Sequence, residues 1–229
     1  MDGSRPLNHY ALAAFTPEYW ALPPDEKLRV QTSWLAGLRS TGSALQLYQV
    51  FPTEHTADVC AWSCVENGAD DGAAATFFAA FARALAPVRR YVRLTATLWG
   101  YARPSQYSRA QRSTQAIDAT AIERKRYLVI YPFVKPTEWY LKPAEERQSV
   151  MSEHIRIGKQ YADVSQLLLY SFGLQDQEFV VVYEMDSLSR FSELVAELRT
   201  TEGRRYTLRD TPLHTCIWHP AEETLGLFR

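Results

Sequence analysis

The chain has no excess of positive charge, no apolar run long enough to cross a membrane and no cysteine framework. Its 25 Lys and Arg stand against 26 Asp and Glu, a formal net charge of −1. That removes the electrostatic footprint that nucleic-acid binding requires. No stretch approaches the roughly eighteen consecutive apolar residues of a spanning helix, and Met1 is not followed by a charged and then apolar leader. Cysteine is scarce: Cys60, Cys64 and Cys216 form an odd set without tight metal spacing. Cys60 and Cys64 fall within one predicted strand, too far apart along it to share a disulfide. A protein without a membrane span, in a reducing cytoplasm, is expected. At 229 residues the chain suits one large domain or two small ones and can bury a substantial core.

What is present is a repeat. EYWALPPDEKLRVQ (Glu18–Gln31) is similar to EWYLKPAEERQSVM (Glu138–Met151), with Trp20 over Trp139, Pro24 over Pro143 and Glu26 over Glu145 at an offset of 119. LQLYQVF (Leu45–Phe51) pairs with LLLYSFG (Leu167–Gly173), and RRYVRL (Arg89–Leu94) with RRYTLR (Arg204–Arg209). Each match is short, but their common order points to duplication. In the second copy a strand over Tyr127–Lys135 precedes a helix over about Pro143–Tyr161. Strands over about Gln166–Phe172 and Glu178–Met185, a helix over about Leu188–Thr200 and a last strand over about Arg205–Asp210 complete it. The first copy follows the same course, with Phe77–Ala86 as its second helix and Tyr91–Trp99 as its last strand. The β-α-β-β-α-β order is ferredoxin-like. The expected fold is therefore α+β, two tandem ferredoxin-like modules packed as one dimeric α+β barrel within the chain. Residues 1–101 form a degenerate first module and 127–229 the second, while the polar linker 102–126 reads as a surface excursion.

One residue separates the copies chemically. Val150, Met151, His154, Ile157, Gly158 and Tyr161 share a helix face, and the position equivalent to His154 in the first copy is Leu35. On the preceding strand Tyr127, Val129, Tyr131, Phe133 and Lys135 share one face and Leu128, Ile130 and Val134 the other. Tyr131 and Lys135 stand roughly 13 Å apart by strand rise. An imidazole on an apolar stripe is either a satisfied core histidine or an axial metal ligand. The polar groups ahead of it make a proximal haem ligand the better reading. By spacing alone, Tyr131 and Lys135 read as a packed sheet tyrosine and an edge lysine before they read as a redox tyrosine and a carboxylate anchor. His9, His55, His214 and His219 read as ordinary strand and loop residues, since HTCIWH lacks the carboxylate or paired cysteines of a metal site.

YLVIYPFVKPTEWYLKPAEERQSVMSEHIRIGKQYADV, followed by LRTTEGRRY, resembles the chlorite dismutase superfamily, and within it the coproheme decarboxylase branch. The resemblance is dense over about Tyr127–Tyr206 and faint through the first copy. It implies haem, or Fe-coproporphyrin III as substrate and cofactor at once, bound in the second module only. It also implies a peroxide co-substrate and a homo-oligomer, commonly a ring pentamer. By the same resemblance His154 is the proximal ligand, and Tyr131 the tyrosine whose radical begins propionate oxidation. Lys135 and Arg199 engage propionates, and Trp139 joins them as a cofactor-binding residue. Glu202 falls where a carboxylate accepts a hydrogen bond from the far side of the ligand imidazole. The distal side departs from the pattern. The arginine of chlorite-degrading members is replaced by Gln166 or, by the other alignment, Leu167; Gln166 is preferred because Leu167–Leu169 read as a buried run. A distal histidine found in one decarboxylase lineage would fall at Gln111, and no linker histidine exists. The implied activity is oxidative decarboxylation of two coproheme propionates to give haem b. Conversion of chlorite to chloride and oxygen, or haem binding without turnover, are the alternatives.

Overall fold

β-Branched and aromatic runs such as VCAWSCV and FVVVYEM are apolar on both faces, so each strand they form needs a packed layer on either side. A closed sheet carrying helices on its outside supplies both layers. The computed structural model describes residues 5–66, 71–103 and 115–229. Its first half runs β1 (Leu7–Phe15), α1 (Pro17–Trp20), α2 (Pro24–Arg39), β2 (Ala44–Gln49), β3 (Val59–Val65), α3 (Asp71–Leu85) and β4 (Val92–Ala102). The second runs β5 (Tyr127–Phe133), α4 (Thr137–Leu141), α5 (Ala144–Gly158), β6 (Ser165–Tyr170), β7 (Phe179–Met185), α6 (Leu188–Leu198), β8 (His214–Trp218) and α7 (Ala221–Gly226).

The strands close in the order β1-β3-β2-β8-β5-β7-β6-β4. Each half contributes its four strands in the same relative order, and the halves join at two equivalent seams. Tyr48 pairs with Trp218 and Gln49 with Ile217 at one seam, and Tyr101 with Tyr170 and Ala102 with Leu169 at the other. Closure leaves no free sheet edge to recruit another chain. Tyr10, Leu12, Tyr48, Cys60, Trp62, Leu128, Ile130, Val180, Val182 and Cys216 fill the barrel interior. The alternation expected for β5 is observed, and the face bearing Tyr127, Val129 and Tyr131 is the outer one, packed toward Ile157, Tyr161 and Phe191. Among the described residues no helix is long and apolar enough to cross a membrane.

Three local expectations are corrected. The last strand is HTCIW, not Arg205–Asp210. Glu202–Tyr206 winds into a 3₁₀ helix, and the segment after it makes a single bridge, Val134 with Arg209, to the end of β5. HTCIW wins the place because His214 and Cys216 bury there while Tyr127–Ile130 pair along it. The similar RRY segments of the two halves are thus not equivalent strands. Second, the end of the linker is built in rather than a surface excursion. Gln115 Nε2 donates to the carbonyls of Gly158, Tyr161 and Val164 at 3.2, 2.8 and 3.2 Å. Ile117 enters the barrel core, and Arg124 meets Glu184 at 3.3 Å with both side chains almost fully buried. Composition marked this stretch as polar, yet Arg124 is enclosed and paired. Third, Leu167–Leu169 are not a uniformly buried run. Leu169 is buried and Leu168 is 37% exposed, because Leu168 shares the outer face with Gln166.

Candidate functional site

The helix pair of the second half closes onto its sheet only in part, and between them lies a cavity of about 1190 Å³. That exceeds the roughly 300–1,000 Å³ of common small-molecule pockets. Phe133 and Val181 from the sheet, Met151 and Ile155 from α5, and Val195 and Leu198 from α6 make apolar walls. Tyr131, Lys135, Trp139, His154, Gln166 and Arg199 all line this one space, so six of the residues singled out in the sequence converge. Glu202 is not among its lining residues.

His154 sits on the cavity stripe of α5, which carries acidic Glu145 and Glu146 in its first turn and Arg156 in its last, as the helix dipole favours. Behind the imidazole lies Gly203, where a Cβ would stand 3.9 Å from His154 Nδ1. The 3₁₀ helix is tied to α5 by the Glu202 N–H donating to Glu153 Oε2 at 3.3 Å. The bond expected from the Glu202 carboxylate to His154 is not formed; that side chain is exposed, and Gly203 abuts the ring instead. Burial, and then the charge of Lys135, hold the His154 pKa below its ordinary value. At neutral pH the ring is therefore uncharged, with a lone pair free for a metal.

Lys135 is held by its surroundings rather than by a carboxylate. Its Nζ lies 3.8 Å from the ring centre of buried Trp139 and donates to the Tyr206 carbonyl at 3.4 Å, while its backbone N–H donates to Glu178 Oε2 at 2.9 Å. Burial lowers its pKa to about 8 against a partial counter-effect from Glu178. Trp139 in turn packs on Tyr206 at 5.3 Å. Arg199 donates to Asp210 Oδ2 at 3.2 Å, and Arg204 reaches the same oxygen at 2.7 Å.

Tyr131 stacks on Tyr183 with ring centres 6.2 Å apart. Burial first, and then Tyr183, push its pKa well above that of free tyrosine, so its O–H keeps its proton at any physiological pH. Gln166 stands on the same outer sheet face, on β6 in register with Tyr183. Its N–H donates to the Gln115 carbonyl at 2.7 Å, and its own carbonyl accepts from Ile117 N–H at 3.1 Å. The linker strand therefore fixes this residue from outside the sheet. Leu167, the other alignment choice, packs against the barrel-interior cluster. Gln111 lies outside the described residues.

Sequence reading missed Tyr183, Arg147, Arg204 and Asp210, all of which line the cavity. Alternation in FVVVYEM already places Tyr183 on the face of Val181, opposite Tyr131 in the sheet; no comparable signal marks Asp210, which lies in irregular chain. His214 and His219 are accounted for by Glu54 Oε2 at 2.7 Å and Gln49 Oε1 at 3.0 Å. Among the described residues no group of three His, Cys, Asp or Glu is placed to hold a metal ion. Haem fits the cavity on four counts: its size, its apolar walls, a neutral imidazole on one wall and cations at its margin.

Comparison with known proteins agrees. A coproheme decarboxylase of Mycolicibacterium smegmatis is 40% identical over 93 residues, 41% of this chain and 40% of that protein. A protein of Halobacterium salinarum whose name describes it as heme-binding is 36% identical over 104 residues, 38% of this chain and 21% of that protein. The matches thus span well under half the length of either relative. The chlorite dismutase of Candidatus Nitrospira defluvii, solved in complex with imidazole, shares the fold with a TM-score of 0.83 at 20% identity, covering 99% of this chain and 96% of that one. The sequence profile of the family named Chlorite dismutase matches residues 27–219, and the chain belongs to the chlorite dismutase family.

Proposed function

We propose that the cavity takes Fe-coproporphyrin III and that the protein oxidatively decarboxylates two of its propionates, giving haem b. The observation that carries this reading is one space holding a neutral histidine on the α5 wall, a protonated, half-buried tyrosine on the sheet and a lysine that forms no ion pair among the described residues. When bound, the iron supplies the centre at which peroxide is reduced. His154 would hold the iron, and Nε2 is the atom we assign, since the Gly203 backbone lies on the Nδ1 side. Lys135, with Arg199, places one propionate beside Tyr131. Tyr131 would give up one electron and the proton at its Oη, both consumed in the reduction of peroxide to water, and the phenoxyl would regain a hydrogen atom from the substrate CH2 next to the ring. Each propionate loses two electrons as its C–C bond to the carboxylate breaks, carbon dioxide leaves and a vinyl group forms. One peroxide takes those electrons and two protons to become two waters.

Gln166 is the residue we assign to the distal wall. A neutral amide offers no positive charge to hold an oxychlorine anion, so chlorite conversion is the lesser reading. We further propose a cytoplasmic homo-oligomer, a ring pentamer as the resemblance implies; the three cysteines are free and buried, which suits a reducing compartment. The deciding experiment adds ferric coproheme, titrates peroxide and follows porphyrin mass. Stepwise loss of two formic-acid equivalents supports decarboxylation. Binding without mass loss would make the protein a non-catalytic haem binder, and sustained oxygen release from chlorite would reverse the order of the two enzymatic readings.

A further inference from the structure

Arg147 has no assigned part in this site, and its setting is unusual. It lies on α5 seven residues before His154, about 10 Å along the axis, on the stripe that continues through Met151. Its side chain lines the cavity. Its Nε is shut off from solvent and has no hydrogen-bond acceptor. Among the described residues no carboxylate forms an ion pair with it, whereas Arg199 and Arg204 share Asp210. A guanidinium N–H is a strong donor, and leaving one buried and unanswered is unfavourable unless an acceptor arrives with a ligand. The acceptor that matches a guanidinium fork is a carboxylate.

We propose that Arg147 binds a second peripheral carboxylate of the porphyrin, a different one from that held by Lys135. The site would then read its ligand as a polycarboxylate at two separated points, with the metal ligand His154 on the same helix as one of them. This rests on the porphyrin reading above and adds to it the residue that sets orientation. Two anchors on different elements, one on the strand end and one on the helix, fix which edge of the ring faces Tyr131. A single anchor leaves the ring free to rotate about the axis through the iron.

The test uses metal-free coproporphyrin III and fluorescence titration of the full chain, so the readout is affinity and not turnover. Arg147→Met should weaken binding at least tenfold, Arg147→Lys by less, and the salt dependence of binding should fall by about one charge in Arg147→Met. Melting of the unliganded Arg147→Met protein should occur no lower than in the parent, because the buried Nε has no partner to lose; this also shows that the variant folds. Lys135→Met and Arg147→Met should be additive in the double variant if they hold separate carboxylates. Unchanged affinity in Arg147→Met overturns the assignment, and a double variant no weaker than Lys135→Met alone overturns the claim of a second carboxylate. A parent protein that binds no porphyrin at all sinks the functional reading itself, an outcome distinct from either.

Discussion

Lys135 should set the alkaline limit of porphyrin binding. Burial lowers its pKa from 10.5 to about 8, so in the empty cavity the charged form is disfavoured by about 3 kcal/mol relative to water. A carboxylate arriving beside Nζ restores the preference for the ammonium, and binding above pH 8 must then take up a proton. Below about pH 8 the charge is already present and affinity is flat. Above it affinity falls, by roughly 40-fold between pH 8 and pH 10 if the bound lysine returns to its ordinary pKa. Metal-free coproporphyrin III is the right probe, since no iron-bound water titrates in the same range. Lys135→Met keeps an unbranched apolar stem over Trp139 and removes the charge. It should bind about 1–3 kcal/mol more weakly at pH 7, with no pH dependence between 7 and 10. Stability of the unliganded chain gives an independent check with the opposite sign. Between about pH 8 and pH 10.5 the unfolded lysine holds more protons than the folded one, so parental stability should rise with pH through that window relative to Lys135→Met. If Lys135→Met reproduces the parental binding profile, the proton belongs to another group and the anchor role is wrong.

Other expectations follow from the same geometry. His154→Ala should leave the fold intact, since the ring makes no hydrogen bond among the described residues and the first half carries Leu35 at this place; an unchanged axial-ligand spectrum on haem binding would end the assignment. Tyr131→Phe should bind coproheme normally and fail to release carbon dioxide, so parental mass loss in this variant would reduce the tyrosine to a sheet residue. Gln166 predicts no enzyme-like oxygen evolution from chlorite on an oxygen electrode. Arg124→Met strands the buried Glu184 carboxylate and should cost about 3–5 kcal/mol in denaturant unfolding; adding Glu184→Gln should recover much of it, and a neutral single variant would show the pair to be solvated.

Period and repeat carried most of the second half into view. The alternation of Tyr127, Val129 and Tyr131 against Leu128 and Ile130 fixes which residues of β5 meet the helices, and the 3.6-residue stripe of α5 fixes His154 toward the same space. What could not be read was any feature decided by competition between distant segments. RRYTLR and HTCIW both have a strand-like composition; only the register against Leu128 and the burial of Cys216 choose between them. The linker misled for a related reason. Its charged and amide side chains look solvated in isolation, yet Gln115 donates to three carbonyls, one at the end of α5 and two in the chain that follows it, and Arg124 answers a carboxylate sixty residues away. Arg147 escaped notice because a charged residue on a helix is usually a surface residue, and only the packed structure shows its Nε enclosed.

The two halves share strand order and helix placement, but the cavity of about 1190 Å³ lies at the helices of the second, and side-chain size at the helix contacts differs between them. In the first half Gly37 lets α2 approach α3 so closely that an added Cβ would stand 3.1 Å from Ala84. Phe77, Phe78 and Phe81 then enclose His9 edge-on, at 4.9 to 5.6 Å, and hold it neutral with a pKa of about 4. At the repeat offset the place of Gly37 is taken by Arg156, an exposed residue, so the close helix approach made at Gly37 has no glycine counterpart in α5. α6 presents Val195, Leu198 and Arg199 to the cavity where α3 presents its phenylalanine rings. A histidine at position 35 would therefore face packed side chains, whereas His154 faces space. The exchange of leucine for histidine between the copies acquires chemical meaning only together with these losses of bulk, because a metal ligand needs an open coordination position as much as it needs a lone pair.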